Sequence, residues 1–186
     1  MRLFAAVDLN DDARAAIAAE QRRLVAALRG SGTLTPTRVD QLHITLVFLA
    51  DVPDGRGAEV VEALSRPFDP PAFDVEFGGL GAFPPHGAPR VVWIGLRRGA
   101  REAIDLQSAV AARLDELGLT IEARAFHPHL TLARWRDAKP SDRARVLRQD
   151  SGQPVAAVHV ASVSLYRSAL GRGGATHTLI ASGRLR

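Results

Sequence analysis

The sequence predicts an α+β fold built from a duplicated unit, and three observations carry that prediction. Residues 42–48 and 126–134 each alternate polar and apolar side chains as half-exposed strands do. Each segment sets a histidine and a threonine two residues apart, His43 with Thr45 and His129 with Thr131. Around them, apolar runs of strand length alternate with stretches of helical spacing, and each half of the chain holds one His/Thr strand. The expected architecture is a single domain over residues 1–186. It has two pseudo-symmetric lobes, with two antiparallel sheets flanked by helices and the His/Thr strands lining a central cleft.

The elements follow in order. Residues 3–9 form a short apolar run ending near Asp8 and Asn10, as a buried strand leading into a helix cap would. Residues 11–29 carry Ala16, Ile17, Leu24, Val25 and Leu28 at mostly helical spacing, with Asp11 and Asp12 at the positive end of the helix dipole. Gly30 and Gly32 stop that helix. A short strand over 34–39 precedes the first His/Thr strand, and a second helix over 58–65 ends before Pro67, Pro70 and Pro71. Phe73, Val75 and Phe77 alternate with charged residues as one strand, and residues 90–96 read as a central strand beyond the loop 83–89. A third helix over 100–117 ends at Gly118, and the second His/Thr strand follows it. Residues 137–150 are weakly helical. Two last strands are expected over 155–166 and 176–185, joined by a glycine-rich hairpin at 171–174.

Composition narrows the chemistry. A chain of 186 residues, 46% hydrophobic, can bury one sizeable core. It has no cysteine, which excludes disulfides, thiolate metal sites and cysteine nucleophiles. The charge at Asp8 interrupts the N-terminal apolar run before a signal-peptide core could form, and no apolar run reaches membrane-spanning length. A cytoplasmic protein is expected, with nothing that demands more than a monomer. The net charge is +4, and Lys139 is the only lysine among 24 basic residues. Arginine's planar fork suits phosphate, so an anionic substrate is permitted.

On a strand, His129 and Thr131 share one face, roughly 7 Å apart at the backbone, above an apolar underside of Leu130 and Leu132. His43 and Thr45 repeat the arrangement over Leu42, Ile44, Leu46 and Phe48. Two imidazoles across a cleft make an acid–base pair near neutral pH, able to activate water on one side of a phosphorus and protonate the leaving oxygen on the other. The Thr45 and Thr131 hydroxyls are placed to donate to non-bridging oxygens. No metal or other cofactor is required. The demand is met by a phosphodiester with a strained leaving group, such as a cyclic phosphate.

His43-Ile44-Thr45-Leu46 and His129-Leu130-Thr131-Leu132 resemble the paired H-x-T-hydrophobic motifs of the 2H phosphoesterases. With the flanking runs at residues 1–9, 42–49, 89–95 and 128–134, the chain looks like the RNA 2′,3′-cyclic phosphodiesterases, historically called 2′-5′ RNA ligases. That resemblance implies metal-independent hydrolysis of a terminal 2′,3′-cyclic phosphate to a 2′-phosphate, with weak reverse ligation forming 2′-5′ links. It implies His43 as general acid, His129 as general base, and RNA ends or nucleotides carrying the cyclic phosphate as partners. Arg134 closes the second motif and is a candidate phosphate or RNA contact. His177 stands where the family commonly has a tyrosine, which places a third histidine among the candidates.

Other functions share these residues. A protein of this fold could hold RNA or a nucleotide without turnover, or act on small cyclic nucleotides or 2′-5′ oligonucleotides. Taken singly, His86, His127 and His159 read as surface or core residues, and Trp135, Tyr166 and Phe48 as core packing rather than base-stacking platforms. A metal pair at His127 and His129 lacks the acidic or histidine partners it would need.

Overall fold

The computed structural model describes residues 1–30, 32–49, 52–119, 121, 125–171 and 174–186. The first strand, β1 (Arg2–Asp8), leads into α1 (Asp11–Ala27), whose N-cap Asn10 accepts a hydrogen bond from the Ala13 amide at 2.8 Å. Then come β2 (Thr33–Pro36), a 3₁₀ turn (Val39–Gln41), β3 (His43–Leu49), α2 (Gly57–Ser65), β4 (Phe73–Phe83) and β5 (Val91–Arg98). The remainder comprises α3 (Ala100–Asp115), β6 (His129–Arg136), α4 (Asp142–Leu147), β7 (Ala156–Val160), β8 (Ser162–Gly171) and β9 (Gly174–Arg184).

The strands pair in the order β7-β4-β5-β6-β3-β1-β8-β9, with β2 added to β6. Every pairing between these strands is antiparallel. The α+β class and the central position of the two His/Thr strands therefore stand. The two expected sheets, however, are joined into one, because β3 and β6 meet through a single pair, Ile44 opposite Leu130. Each is the residue after its motif histidine, so the junction relates the two motifs by an approximate twofold. The crossover helices reinforce it: α1 follows β1 but packs under β6 and β7, and α3 follows β5 but packs under β3. Leu3, Ile44, Leu46, Ile94, Leu130 and Leu132 meet Ile17, Leu24, Leu106 and Val110 in one apolar core on that side.

Both motif strands carry the same irregularity. Along β1, Ala5 pairs with Val47 and Ala6 with Thr45, so Leu46 is skipped; along β5, Val92 pairs with Ala133 and Trp93 with Thr131, so Leu132 is skipped. Each is a bulge that resets the alternation by one residue. Leu46 and Val47 are both buried, and so are Leu132 and Ala133. Simple alternation puts Phe48 with Leu46 on the core face; the bulge instead turns it to the face of His43, where it is 52% exposed. The same reset buries Trp135 and exposes Arg134.

Several boundaries differ from the sequence reading: the short strand expected over 34–39 ends at Pro36, before the 3₁₀ turn at Val39–Gln41, and the third helix ends at Asp115. The second motif strand starts at His129, not at residue 126, since Pro128 has no N–H for the ladder. Residues 155–166 form two strands, because the chain passes from β7 beside β4 to β8 beside β1; the buried positions Val158 and Val160 give way to Val163 and Leu165, one residue out of phase. Of the expected glycine hairpin, Gly171 pairs with Gly174, while 172 and 173 lie outside the described residues. No helix among the described residues is long and apolar enough to cross a membrane.

Candidate active site

The face of the sheet opposite the helices gathers the motif residues. Carrying the Ile44–Leu130 register one residue each way sets His43 opposite Thr131 and Thr45 opposite His129. All four side chains are half-buried on that face. The imidazoles are oriented alike. His129 Nδ1 lies 2.6 Å from the His127 carbonyl, two residues back, and the carbonyl of Gln41, two residues before His43, acts on that ring in the same way. A backbone acceptor at Nδ1 fixes the tautomer and leaves Nε2 to the site. In His43 that Nε2 accepts the Thr45 hydroxyl, with Oγ1 at 3.0 Å.

Each imidazole is packed among rings. Phe4 stacks on His43 at 5.0 Å and on Tyr166 at 5.2 Å, and His177 meets Phe4 edge-on at 4.8 Å. On the other side, Phe83 meets His129 edge-on at 5.1 Å, and Trp93 lies 6.0 Å from it. Burial among these rings, more than any charge, lowers both histidines, His43 to about 4. The charges around them differ. His177 pushes His43 further down, and Asp8, which pairs with it across β1 and β3, pulls it back up; His127 and Arg134 push His129 further down. Asp8 is held in turn by Ser164 Oγ at 2.6 Å and Tyr166 Oη at 2.8 Å, both donating to its carboxylate.

The Trp93 ring occupies space that a side chain at Gly81 would take, since a Cβ there would come within 2.1 Å of Cζ2. Gly81→Ala is expected to displace the indole from beside His127 and His129 and to lower kcat by about tenfold. Steady-state kinetics and the near-ultraviolet circular dichroism of the tryptophans check this. Unchanged values in both would contradict the packing role.

A two-histidine, two-hydroxyl centre of this kind can move a proton to one oxygen and from another around a tetrahedral phosphorus. Comparison with known proteins adds the family. Residues 11–172 match the model of the 2′-5′ RNA ligase superfamily. The chain belongs to that superfamily. It is 39% identical over 137 residues to an RNA 2′,3′-cyclic phosphodiesterase of Aeropyrum pernix, covering 73% of this chain and 77% of the relative. Against the protein of that name from Archaeoglobus fulgidus the identity is 34% over 171 residues, covering 91% and 92%. Among solved structures, TT0787 of Thermus thermophilus superposes with a TM-score of 0.78 at 30% identity, over 100% of this chain and 98% of the other. LigT of Escherichia coli complexed with 3′-AMP superposes with a TM-score of 0.75 at 27% identity, over 99% and 97%.

Within this superfamily member, the remaining candidates fall as follows. Arg134 is exposed on the motif face, five residues after His129, and Phe48 holds the matching place five residues after His43. His177 pairs with Ser168 and sits with its ring 5.7 Å from that of His43. His127 serves through its carbonyl, and its ring lies 4.9 Å from Trp93. His159 is a surface residue paired with Asp74 at 2.8 Å. A cavity of about 190 Å³ opens beside His43, with Asp8, Arg38, Asp40, Tyr166 and His177 in its wall. Sequence reasoning missed Asp8, Trp93 and Phe48 as site residues. For Asp8 the available signal was a carboxylate ending an apolar strand; for Phe48 none existed without the bulge.

Proposed function

We propose that the protein hydrolyses RNA ends bearing a 2′,3′-cyclic phosphate to the 2′-phosphate, with His43 as general acid and His129 as general base. The observation that carries this reading is the pairing of the two motifs about the Ile44–Leu130 junction, which faces an imidazole and a hydroxyl from each strand onto one centre. The names of the relatives, RNA 2′,3′-cyclic phosphodiesterases, support the substrate class.

In the proposed reaction, His129 Nε2 takes the proton of a water that attacks phosphorus in line with the 3′ oxygen. His43 Nε2 gives its proton to that oxygen as the P–O3′ bond breaks, and the phosphate stays on O2′. Thr45 and Thr131 donate to the non-bridging oxygens, where negative charge builds. Asp8 stands opposite His43 and favours a proton on that ring against burial and the stronger opposing push of His177, while no carboxylate is among the groups acting on His129. The cavity beside His43 suits the nucleoside of the leaving 3′ oxygen. Phe48 offers a ring for stacking, Arg134 a cation for backbone phosphate, and His177 a further phosphate or RNA contact. Ligation to a 2′-5′ link uses the same centre with the 5′ hydroxyl of a second RNA in place of water: His129 takes that hydroxyl's proton, its oxygen bonds to phosphorus, and His43 protonates O3′ as the P–O3′ bond breaks.

The test is the pH dependence of kcat/KM, which reports the free enzyme. Both histidines are lowered there, so loss of the proton from the acid begins below the ordinary histidine value near 6.5. Activity should therefore fall as pH rises past an optimum below 6.5 and fall again toward lower pH as the base becomes protonated. The limbs of kcat should lie higher, because the bound phosphate's negative charge favours imidazolium. A kcat/KM that climbs monotonically through pH 8 would oppose the assignment.

A further inference from the structure

We infer that α1 is the strut that sets the spacing of the two motif histidines, with Gln21 and Arg14 as positioning residues; the inference rests on the proposed two-histidine reaction. The need for such a strut lies in the sheet. β3 and β6 share a single residue pair, Ile44 with Leu130, so their ladder does little to fix how far the strands splay at His43 and His129. Further along β6, the register to β5 shifts at Leu132.

Gln21 answers both features. It is 4% exposed, on a helix face otherwise made of Ala13, Ile17, Ala18 and Leu24. Its Nε2 donates to the Leu132 carbonyl at 2.6 Å and to the Thr37 carbonyl at 2.8 Å. The Thr37 amide donates to the same Leu132 carbonyl at 2.9 Å. The bulge directly after Thr131 is thus pinned to α1. Seven residues earlier, two helical turns along the same face, Arg14 reaches the other motif. Its Nη1 donates to the carbonyls of Val39 at 2.9 Å and Leu42 at 3.2 Å, and its Nη2 to that of Leu9 at 3.2 Å. Leu42 is the residue before His43. One rigid helix thereby holds the residue before the first histidine and the residue after the second threonine. A hydrophobic side chain would satisfy the packing at position 21; only the amide ties the Thr37 and Leu132 carbonyls to the helix.

The experiment compares wild type, Gln21→Met, Arg14→Lys and the double variant for kcat, KM and Tm on an RNA oligonucleotide ending in a 2′,3′-cyclic phosphate. Methionine keeps the volume of Gln21 without its donors, and lysine keeps the charge of Arg14 without its fork. Each single variant should lower kcat by about tenfold or more, because misplacing the reacting groups by an ångström is that costly, and leave KM within about twofold. Once one end of the strut is free the spacing is lost, so the double variant should have the kcat of the poorer single one. Effects on Tm should instead add, as for separated sites with no shared partner. Should Gln21→Met fail to fold, Arg14→Lys alone decides, since its side chain lies at the edge of the core. An unchanged kcat in the folded variants overturns the inference, and so do kcat losses that multiply in the double variant in step with Tm. An inactive wild type instead overturns the proposed reaction itself, which separates the two failures.

Discussion

His43→Ala and His129→Ala are each expected to lower kcat on a 2′,3′-cyclic-phosphate RNA by about 10²- to 10⁴-fold, the range for removal of a positioned proton donor or acceptor. His129 turns Nδ1 to the His127 carbonyl, and His43 sets Nε2 beside Thr45 Oγ1 with a backbone hydrogen bond to Gln41, so in each ring Nε2 is the nitrogen left to the centre. His177 is the nearest alternative to His43, but its ring centre lies 5.7 Å away and meets the His43 ring edge-on. Because acid and base act in one step, the double variant should be little worse than the poorer single one. Melting temperatures establish that the variants are folded. Either variant, folded and retaining full kcat, would remove its histidine from the chemistry.

Thr45→Val and Thr131→Val are expected to lower kcat by about 10²- to 10³-fold with small changes in KM, as loss of a donor to developing oxyanion charge does. Valine matches threonine in volume and suits a strand, so the sheet is retained. The two positions differ in one respect. Thr45 Oγ1 already donates to His43 Nε2, at 3.0 Å, so that hydroxyl must rotate to the phosphate as His43 takes up its proton. Thr45→Val should therefore also raise the apparent pKa of His43, whose neutral form loses a hydrogen-bond partner, and shift the alkaline limb of kcat/KM upward. Thr131→Val should leave that limb in place. Serine at either position keeps the hydroxyl and should recover most of the rate. If valine and serine variants are indistinguishable from wild type, the hydroxyls do not act on the substrate.

Much of this was legible in the sequence because it is local. The i, i+2 spacing of histidine and threonine on a strand fixes a shared face whatever the rest of the fold does, and Ile44, Leu130 and Leu132 are buried as alternation requires. The class of fold followed from strand-length apolar runs between amphipathic helices. What remained hidden depends on pairing. The bulges at Leu46 and Leu132 exist only in register with β1 and β5, and they decide that Phe48 and Arg134 stand on the motif face while Trp135 is buried. The switch from β7 to β8 leaves only a one-residue phase break between Val160 and Val163, and it does not say which neighbours the two strands take. Asp8, Ser164 and Tyr166 are far apart in sequence and form a group only because β8 lies beside β1. Gln21 reads as one polar residue on an apolar helix face until the carbonyls of Thr37 and Leu132 are seen beneath it.

In the proposed reaction two histidines, without a metal, open a cyclic phosphate toward the 3′ oxygen. Among the described residues, no three histidine or acidic side chains stand together as metal ligands would. The direct measurement is hydrolysis of an RNA oligonucleotide ending in a 2′,3′-cyclic phosphate, in excess chelator, with the position of the product phosphate assigned by ³¹P NMR and a small cyclic nucleotide as competitor. Undiminished turnover, a 2′-phosphate as sole product, and weak competition by the small nucleotide are expected. Activity abolished by the chelator, a 3′-phosphate product, or tight binding with no turnover would contradict the proposed reaction.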